Sequence, residues 1–296
     1  MLLDIDVEVF DGADHLPVIE VLKQVARGRH DWRPTTADAV RAKSFVADID
    51  AAKIRLPALE LWAQKEAEAA ADRGESAAPS PDGQQPVRIT SANVVPAAED
   101  LGKPAVLVVE NQIGDGGFVR AMAAALDDER VVHALKKRWL EFCHGGGTGQ
   151  MAELAVDKCR AFALVIRVAM LIDSDRSAPA SPSDNEVKVE EARAGGVPHI
   201  HMFTRRMVEN YVPFRVWERH YQDNPYKTAK LKELRGWPPQ RRGYEDLKTH
   251  FGGRKKKMPS PLMPADMRLS EADFDELGPD VVTELRQVLA MIYEIL

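Results

Sequence analysis

Cysteine is scarce in this sequence, and the two present, Cys143 and Cys159, give neither a disulfide framework nor a zinc-ligand spacing. They read as reduced thiols of a cytoplasmic protein. No apolar run approaches the roughly 20 residues that span a bilayer. The start, Met1-Leu2-Leu3-Asp4, lacks the basic-then-apolar order of an export signal, so no membrane is expected. A P-loop is missing too: the glycine-rich stretch His144–Gln150 ends without the Lys-Ser/Thr pair of a triphosphate site. Nor is there an excess of positive charge. A net charge of −6 argues against a chain coated with basic residues for nucleic acid, although it leaves room for a local patch. Across 296 residues there is material for one large domain or two modest ones, with ample core.

Two short apolar runs organise the chain. Ala105–Val109 ends on Glu110 and a glycine-rich stretch, Asn111–Gly117; Ala163–Ile172 ends on Asp173-Ser174-Asp175. Both have the length and β-branched content of buried strands in a parallel sheet. In each, the first acid arrives where the strand would stop, and open α/β sheets bind ligands just beyond the carboxyl ends of their strands. If the two strands are neighbours, Glu110, Asp173 and Asp175 converge on one crevice, with Asp115 beside them. Clustered carboxylates repel unless a cation sits between them, and Mg²⁺ or Mn²⁺ is the expected partner.

These residues resemble a Toprim domain, the metal-binding α/β module of topoisomerases, primases and several nucleases. The shared pattern is a strand ending in Glu, a glycine-rich stretch, and a strand ending in Asp-x-Asp. Farther on, Arg205-Arg206-Met207-Val208-Glu209-Asn210-Tyr211-Val212 resembles the Arg-x-x-hydrophobic-Glu-Asn-Tyr-hydrophobic segment of the nuclease branch, which includes the OLD (overcoming lysogenisation defect) family and related anti-phage effectors. The resemblance spans roughly residues 103–260 and departs at Asn111, where the family often has Gly. It implies a Toprim-like parallel sheet flanked by helices. It also implies Glu110, Asp173 and Asp175 as catalytic metal ligands, with Asp115 and Glu209 in support. A lysine past the Glu-Asn-Tyr segment joins such sites; Gly252–Lys257 is its expected place, and Lys255 is taken for the role. An ATPase acting in trans is a further implication.

The remainder supplies the frame. Residues 1–71 read as mostly helical: a short strand within 1–10, a helix from Asp14 or His15 to Arg27, and an amphipathic stretch Ala37–Ala71 broken at Pro57. Residues 72–100 read as a linker, clearest over 72–86, where Pro, Gly and Ser carry no apolar periodicity. Val87–Ile89 and Val94–Val95 are expected as short strands, Phe118–Leu126 and Asp127–Leu140 as helices, and 198–204 as a further strand. His199 and His201 share a strand face, but nothing nearby completes a zinc set. Tyr211, Phe214, Trp217 and Tyr221 are expected to pack the sheet.

Residues 226–257 hold eleven Lys or Arg against three acids. Arg241, Arg242, Lys248, Arg254, Lys256 and Lys257 are therefore expected to contact nucleic-acid phosphates. Residues 261–296 form a C-terminal helical segment, either a lid on the sheet or a homo-oligomer contact. The expectation is thus a metal-dependent nuclease acting on DNA or RNA, an effector of anti-phage defence. Two alternatives stand beside it: a non-catalytic nucleic-acid-binding or assembly module, and another Mg²⁺-dependent phosphotransfer enzyme built on Asp173-x-Asp175.

Overall fold

The computed structural model describes residues 1–12, 14–51, 56–73, 85–252, 258–264 and 266–296. The chain is α/β, with parallel sheets flanked by helices, and divides into two units. The first comprises Met1–Pro104, Phe162–Arg167 and Leu296; the second comprises Ala105–Ala161 and Val168–Ile295.

In the first unit, β1 (Leu2–Ile5) is the middle strand of a parallel sheet ordered β2-β1-β3, with β2 at Asp31–Trp32 and β3 at Val87–Ile89. Leu3 and Ile5 alternate into the core while Asp4 stays exposed, the short half-exposed strand expected within residues 1–10 of a mostly helical region. Around the sheet lie α1 (His15–Ala26), α2 (Thr36–Ala51), α3 (Pro57–Arg73) and α4 (Val94–Gly102). The stretch is broken before Pro57, as expected, and Pro57 begins α3, since proline tolerates the first turn, whose N–H groups lack partners.

Two boundaries shift from those expected. Of the supposed linker, residues 74–84 lie outside the described residues, but β3 and α4 are packed parts of the first unit: Ile89, Ala97 and Leu101 are fully buried. Val94–Val95 opens α4 instead of forming a strand, with Pro96 also in its first turn. The run Ala163–Ile172 is not one strand either. Only Val168–Ile172 is; Phe162–Arg167 belongs to the first unit, where buried Arg167 donates to the carbonyls of Leu101 and Lys103.

The second unit holds a four-stranded parallel sheet ordered β5-β4-β6-β7, with β4 at Ala105–Val109, β5 at Leu140–His144, β6 at Val168–Ile172 and β7 at His199–Met202. β4 and β6 are neighbours, paired Val106 to Val168 and Val108 to Met170. All five residues of β6 are buried, which is why it reads as a continuous apolar run. Connecting helices are α5 (Gly114–Ala125), α6 (Glu129–Lys136), α7 (Met151–Cys159) and α8 (Asn185–Ala194). The expected helix Asp127–Leu140 thus ends early, and Leu140 already starts β5. After β7 come α9 (Phe214–Tyr221), α10 (Pro225–Arg235), α11 (Pro239–Arg242) and α12 (Leu247–Gly252). The last helix, α13 (Asp280–Ile295), packs on β6 and β7 through a stripe including Val281, Leu285, Val288 and Ile292. Residues 261–295 are therefore part of this unit, not a separate segment. Trp217, Tyr221 and Phe251 form one buried aromatic group, as the packing role predicts. Among the described residues no helix is long and apolar enough to cross a membrane.

Candidate metal centre

Because β4 and β6 are parallel neighbours, the residues that follow them emerge at the same edge of the sheet. Glu110 follows β4 directly and Asp173 follows β6. Asn111 then turns the chain into α5: its Oδ1 accepts the N–H groups of Ile113 and Gly114, at 2.9 and 3.0 Å. Asn111 therefore serves the turn. The Asn111 N–H in return donates to Asp115 Oδ2 at 2.8 Å, which fixes that carboxylate toward the strand end. Gly116 serves packing: a Cβ there would meet the Phe142 ring at 3.2 Å, so α5 lies close against β5.

Asp173 accepts the Val208 N–H through Oδ1 at 2.9 Å, tying β6 to the Glu-Asn-Tyr segment. Glu209, next in the chain, is 5% exposed. Its Oε1 lies 3.5 Å from Lys248 Nζ, while Oε2 is buried without any hydrogen-bond partner. A buried, unpaired carboxylate oxygen beside three further acids is costly as it stands and chemically ready for a cation.

The electrostatics bind the group together. Burial pushes the Asp115 carboxyl from its ordinary 3.8 up to about 7; Glu110 and Glu209 add to the rise, and the Asn111 N–H and Lys248 oppose it. Asp173 lies well above the carboxylate range, through burial first and then the charges of Glu209, Asp115 and Glu110. Glu209 is raised by burial against the pull of Lys248. Burial alone would lower Lys248, but Glu209, Asp173 and Glu110 outweigh it and hold the ammonium protonated above its ordinary range. Four carboxylates thus face one ammonium. Hard oxygen donors and an orphaned Glu209 oxygen are the donor chemistry that a divalent cation such as Mg²⁺ or Mn²⁺ takes. The side chains are not drawn into a coordination shell: among the described residues no three His, Cys, Asp or Glu are gathered closely enough to hold a metal.

Asp175 stands apart. Its φ of 54° turns the chain away, its N–H donates to the Arg206 carbonyl, and its Oδ2 accepts from Asn185 Nδ2 at 3.0 Å. It is not among the principal charges acting on Asp173. The Asp-x-Asp pair is therefore split: Asp173 enters the cluster and Asp175 anchors the loop to α8.

The expected phosphate contacts also divide. Lys248 belongs to the carboxylate group rather than to a basic surface. Arg242 is a structural clamp, donating to the carbonyls of Arg235 and Glu276 with its guanidinium over Phe214. Arg241 stays exposed and stacks on Trp237 at 3.7 Å. Arg254, Lys255, Lys256 and Lys257 lie outside the described residues. The histidine pair does not act together, since His201 meets Glu284 at 3.2 Å.

Sequence reasoning missed the framework that carries Lys248 to the site. Asn210 Nδ2 donates to the carbonyls of Arg242 and Glu245, holding the loop that leads into α12. Tyr211 donates to Glu284 and accepts from the Arg205 N–H, and Arg205 reaches the carbonyls of Asn210 and Leu277. The Arg-x-x-x-Glu-Asn-Tyr block is thus a fastening whose one acid, Glu209, faces the cluster and Lys248.

A pH dependence follows for the metal-free protein. A carboxyl whose folded pKa is raised keeps a proton that the unfolded chain releases, so stability falls as pH climbs from 3.8 through about 7. At about 1.4 kcal/mol per pKa unit, discounted for partial solvent access, we expect a loss of roughly 2 kcal/mol between about pH 4 and pH 8. Urea unfolding in chelator across that range should show it, and Asp115→Asn should flatten the curve. An equal fall in the variant would sink this account.

Compared with known proteins, the chain matches no family model, no curated protein and no solved structure.

Proposed function

We propose that this protein is a metal-dependent nuclease with a Toprim-like site, hydrolysing phosphodiester bonds of DNA or RNA. The observation that carries this reading is the group at the ends of β4 and β6: Glu110, Asp115, Asp173 and Glu209 around Lys248, with a buried Glu209 oxygen lacking a partner. A group this negative, at the edge where parallel sheets place their ligands, is suited to holding Mg²⁺ or Mn²⁺ rather than to binding a phosphate directly.

The four carboxylates would hold the metal. When bound, the metal supplies Lewis acidity toward the phosphodiester and a hydroxide nucleophile at neutral pH. The chain's own residues do the rest. Val208 N–H and Asn111 N–H orient Asp173 and Asp115, so neither carboxylate must be frozen at the moment of reaction. Lys248 keeps its proton at Nζ and would stabilise negative charge growing on the phosphate oxygens. This lysine, on α12, takes the role the sequence suggested for Lys255. A role as an effector in anti-phage defence, alongside an ATPase partner that cleavage does not require, is part of the proposal and rests on the resemblance alone.

The test is cleavage of supercoiled plasmid and of total tRNA with Mg²⁺ or Mn²⁺ and again with excess chelator. Cleavage that chelator abolishes and added metal restores supports the reading, and the polymer cut identifies the substrate. Cleavage indifferent to chelator, or none with either polymer, defeats it.

A further inference from the structure

Two cavities in the second unit share a wall. The smaller, about 430 Å³, lies at the strand ends and is lined by Glu110, His144 and Gly147. The larger, about 740 Å³, lies between α5 and the segment after residue 260, and its walls are apolar: Ala121, Ala124, Met263 and Met267. Gln112 and Ile113 line both. Nothing in the larger cavity belongs to the carboxylate group, yet it opens within three residues of Glu110.

Three features of this cavity point to one occupant. Its only charged lining residues are Arg120 and Arg268, and no acid faces it among the described residues. That is the reverse of the acidic group next door. Its volume falls in the range that seats a small organic ligand of one or two rings. And Ile113, on the shared wall, is 62% exposed, an apolar side chain held out in a turn whose backbone Asn111 fastens. Isolated apolar side chains beside nucleic-acid sites act as wedges that unstack neighbouring bases. An occupant with an apolar, planar body and an anionic group, continuous with a phosphate at the strand ends, is a nucleotide of the same strand.

We propose that the α5 cavity receives an unpaired nucleotide flanking the scissile phosphate, with its base against the Ala and Met walls and its phosphate met by Arg120 and Arg268. The substrate class is therefore single-stranded or locally unpaired nucleic acid. A base held in a duplex cannot turn into the cavity without losing its pairing and stacking. This rests on the nuclease reading for the place of the scissile bond, but the binding it requires does not depend on metal.

The test is fluorescence anisotropy in EDTA, where no metal-dependent cleavage occurs, with a labelled oligonucleotide as single strand and as blunt duplex. Wild type should bind the single strand about tenfold more tightly than the duplex, the order of effect that one base on an apolar platform produces. Ala124→Trp, at an exposed position lining the cavity, fills the space; Arg268→Glu, also exposed, reverses the charge. Each should weaken single-strand binding about tenfold. Both should leave duplex binding and the melting temperature unchanged. Equal affinity for both forms, no binding of the single strand, or wild-type binding by both folded variants overturns the proposal. Single-strand binding without any cleavage on metal addition would leave it standing and defeat the nuclease reading. Cleavage of duplex with no single-strand preference would do the converse.

Discussion

Asp173→Asn should stop cleavage while making the metal-free protein more stable. The two effects have one origin. Asp173 is held well above the ordinary carboxylate range by burial and by Glu209, Asp115 and Glu110, so ionising it near neutral pH costs folding energy. The amide keeps an oxygen for the Val208 N–H and removes the charge. In the absence of metal, that relief should appear as a higher melting temperature at about pH 8, with little gain at about pH 3, below the ordinary 3.8, where the carboxyl is largely protonated in both states. On the proposed reading, the same change would remove an anionic ligand when metal is present. Metal contributes several kcal/mol of transition-state charge stabilisation, and about 4 kcal/mol is roughly 10³-fold in rate. The expected result is therefore a loss of roughly 10³-fold or more in plasmid or RNA cleavage, together with loss of the metal-induced rise in melting temperature. Cleavage at the wild-type rate would remove Asp173 from the site. Inactivity with a lower metal-free melting temperature would mean that Asp173 is structural.

The contrast between Asp173 and Asp175 shows what sequence could and could not reveal. A strand end is a local pattern: apolar residues run to a charge and stop. The ends of β4 and β6 and the acids after them are therefore legible, whereas their adjacency is only a condition in the sequence and is shown by the pairing of Val106 with Val168. Where a loop turns after the strand is set by partners far away. The Arg206 carbonyl and Asn185 amide capture Asp175, and neither tie leaves a mark near residue 175.

Lys248 illustrates the same limit. As one cation in a basic run, it reads as surface. Its place opposite Glu209 depends on Asn210 gripping carbonyls some 30 residues on. The basic run also overstated its own charge, because Arg235 pairs with Glu218 and Glu276, acids that fall outside the window. Arg167 is the clearest failure of pattern. It sits inside an apolar run that reads as one strand, yet it is fully buried, and the run changes unit at that residue.

The second large effect lies in the first unit, at Asp100. Its carboxylate is 0% exposed and accepts four hydrogen-bond donors: the N–H groups of Ala163, Leu164 and Val165, the last two at 2.7 and 2.9 Å, and Lys103 Nζ at 2.8 Å. Burial alone would raise its pKa, but these donors outweigh it and hold the carboxyl below 3.8. Asp100→Ala strips the acceptor from three backbone amides and takes one oxygen partner from the Lys103 ammonium. Lys103 is half-exposed, so its share is small, but each buried amide left without an acceptor costs about 1–3 kcal/mol, and three of them place the loss at about 4 kcal/mol. Because the folded pKa is depressed, the stabilisation is present above 3.8 and disappears as pH falls through the lower folded value. The variant should therefore be about 4 kcal/mol less stable at neutral pH, and the gap should narrow in acid. Hydrogen exchange gives the decisive readout, since Asp100, its three amides and Lys103 all belong to the first unit. Protection of Leu164 and Val165 should collapse in the variant, whereas a variant that keeps it at neutral pH would show that the segment is held by its apolar residues rather than by Asp100.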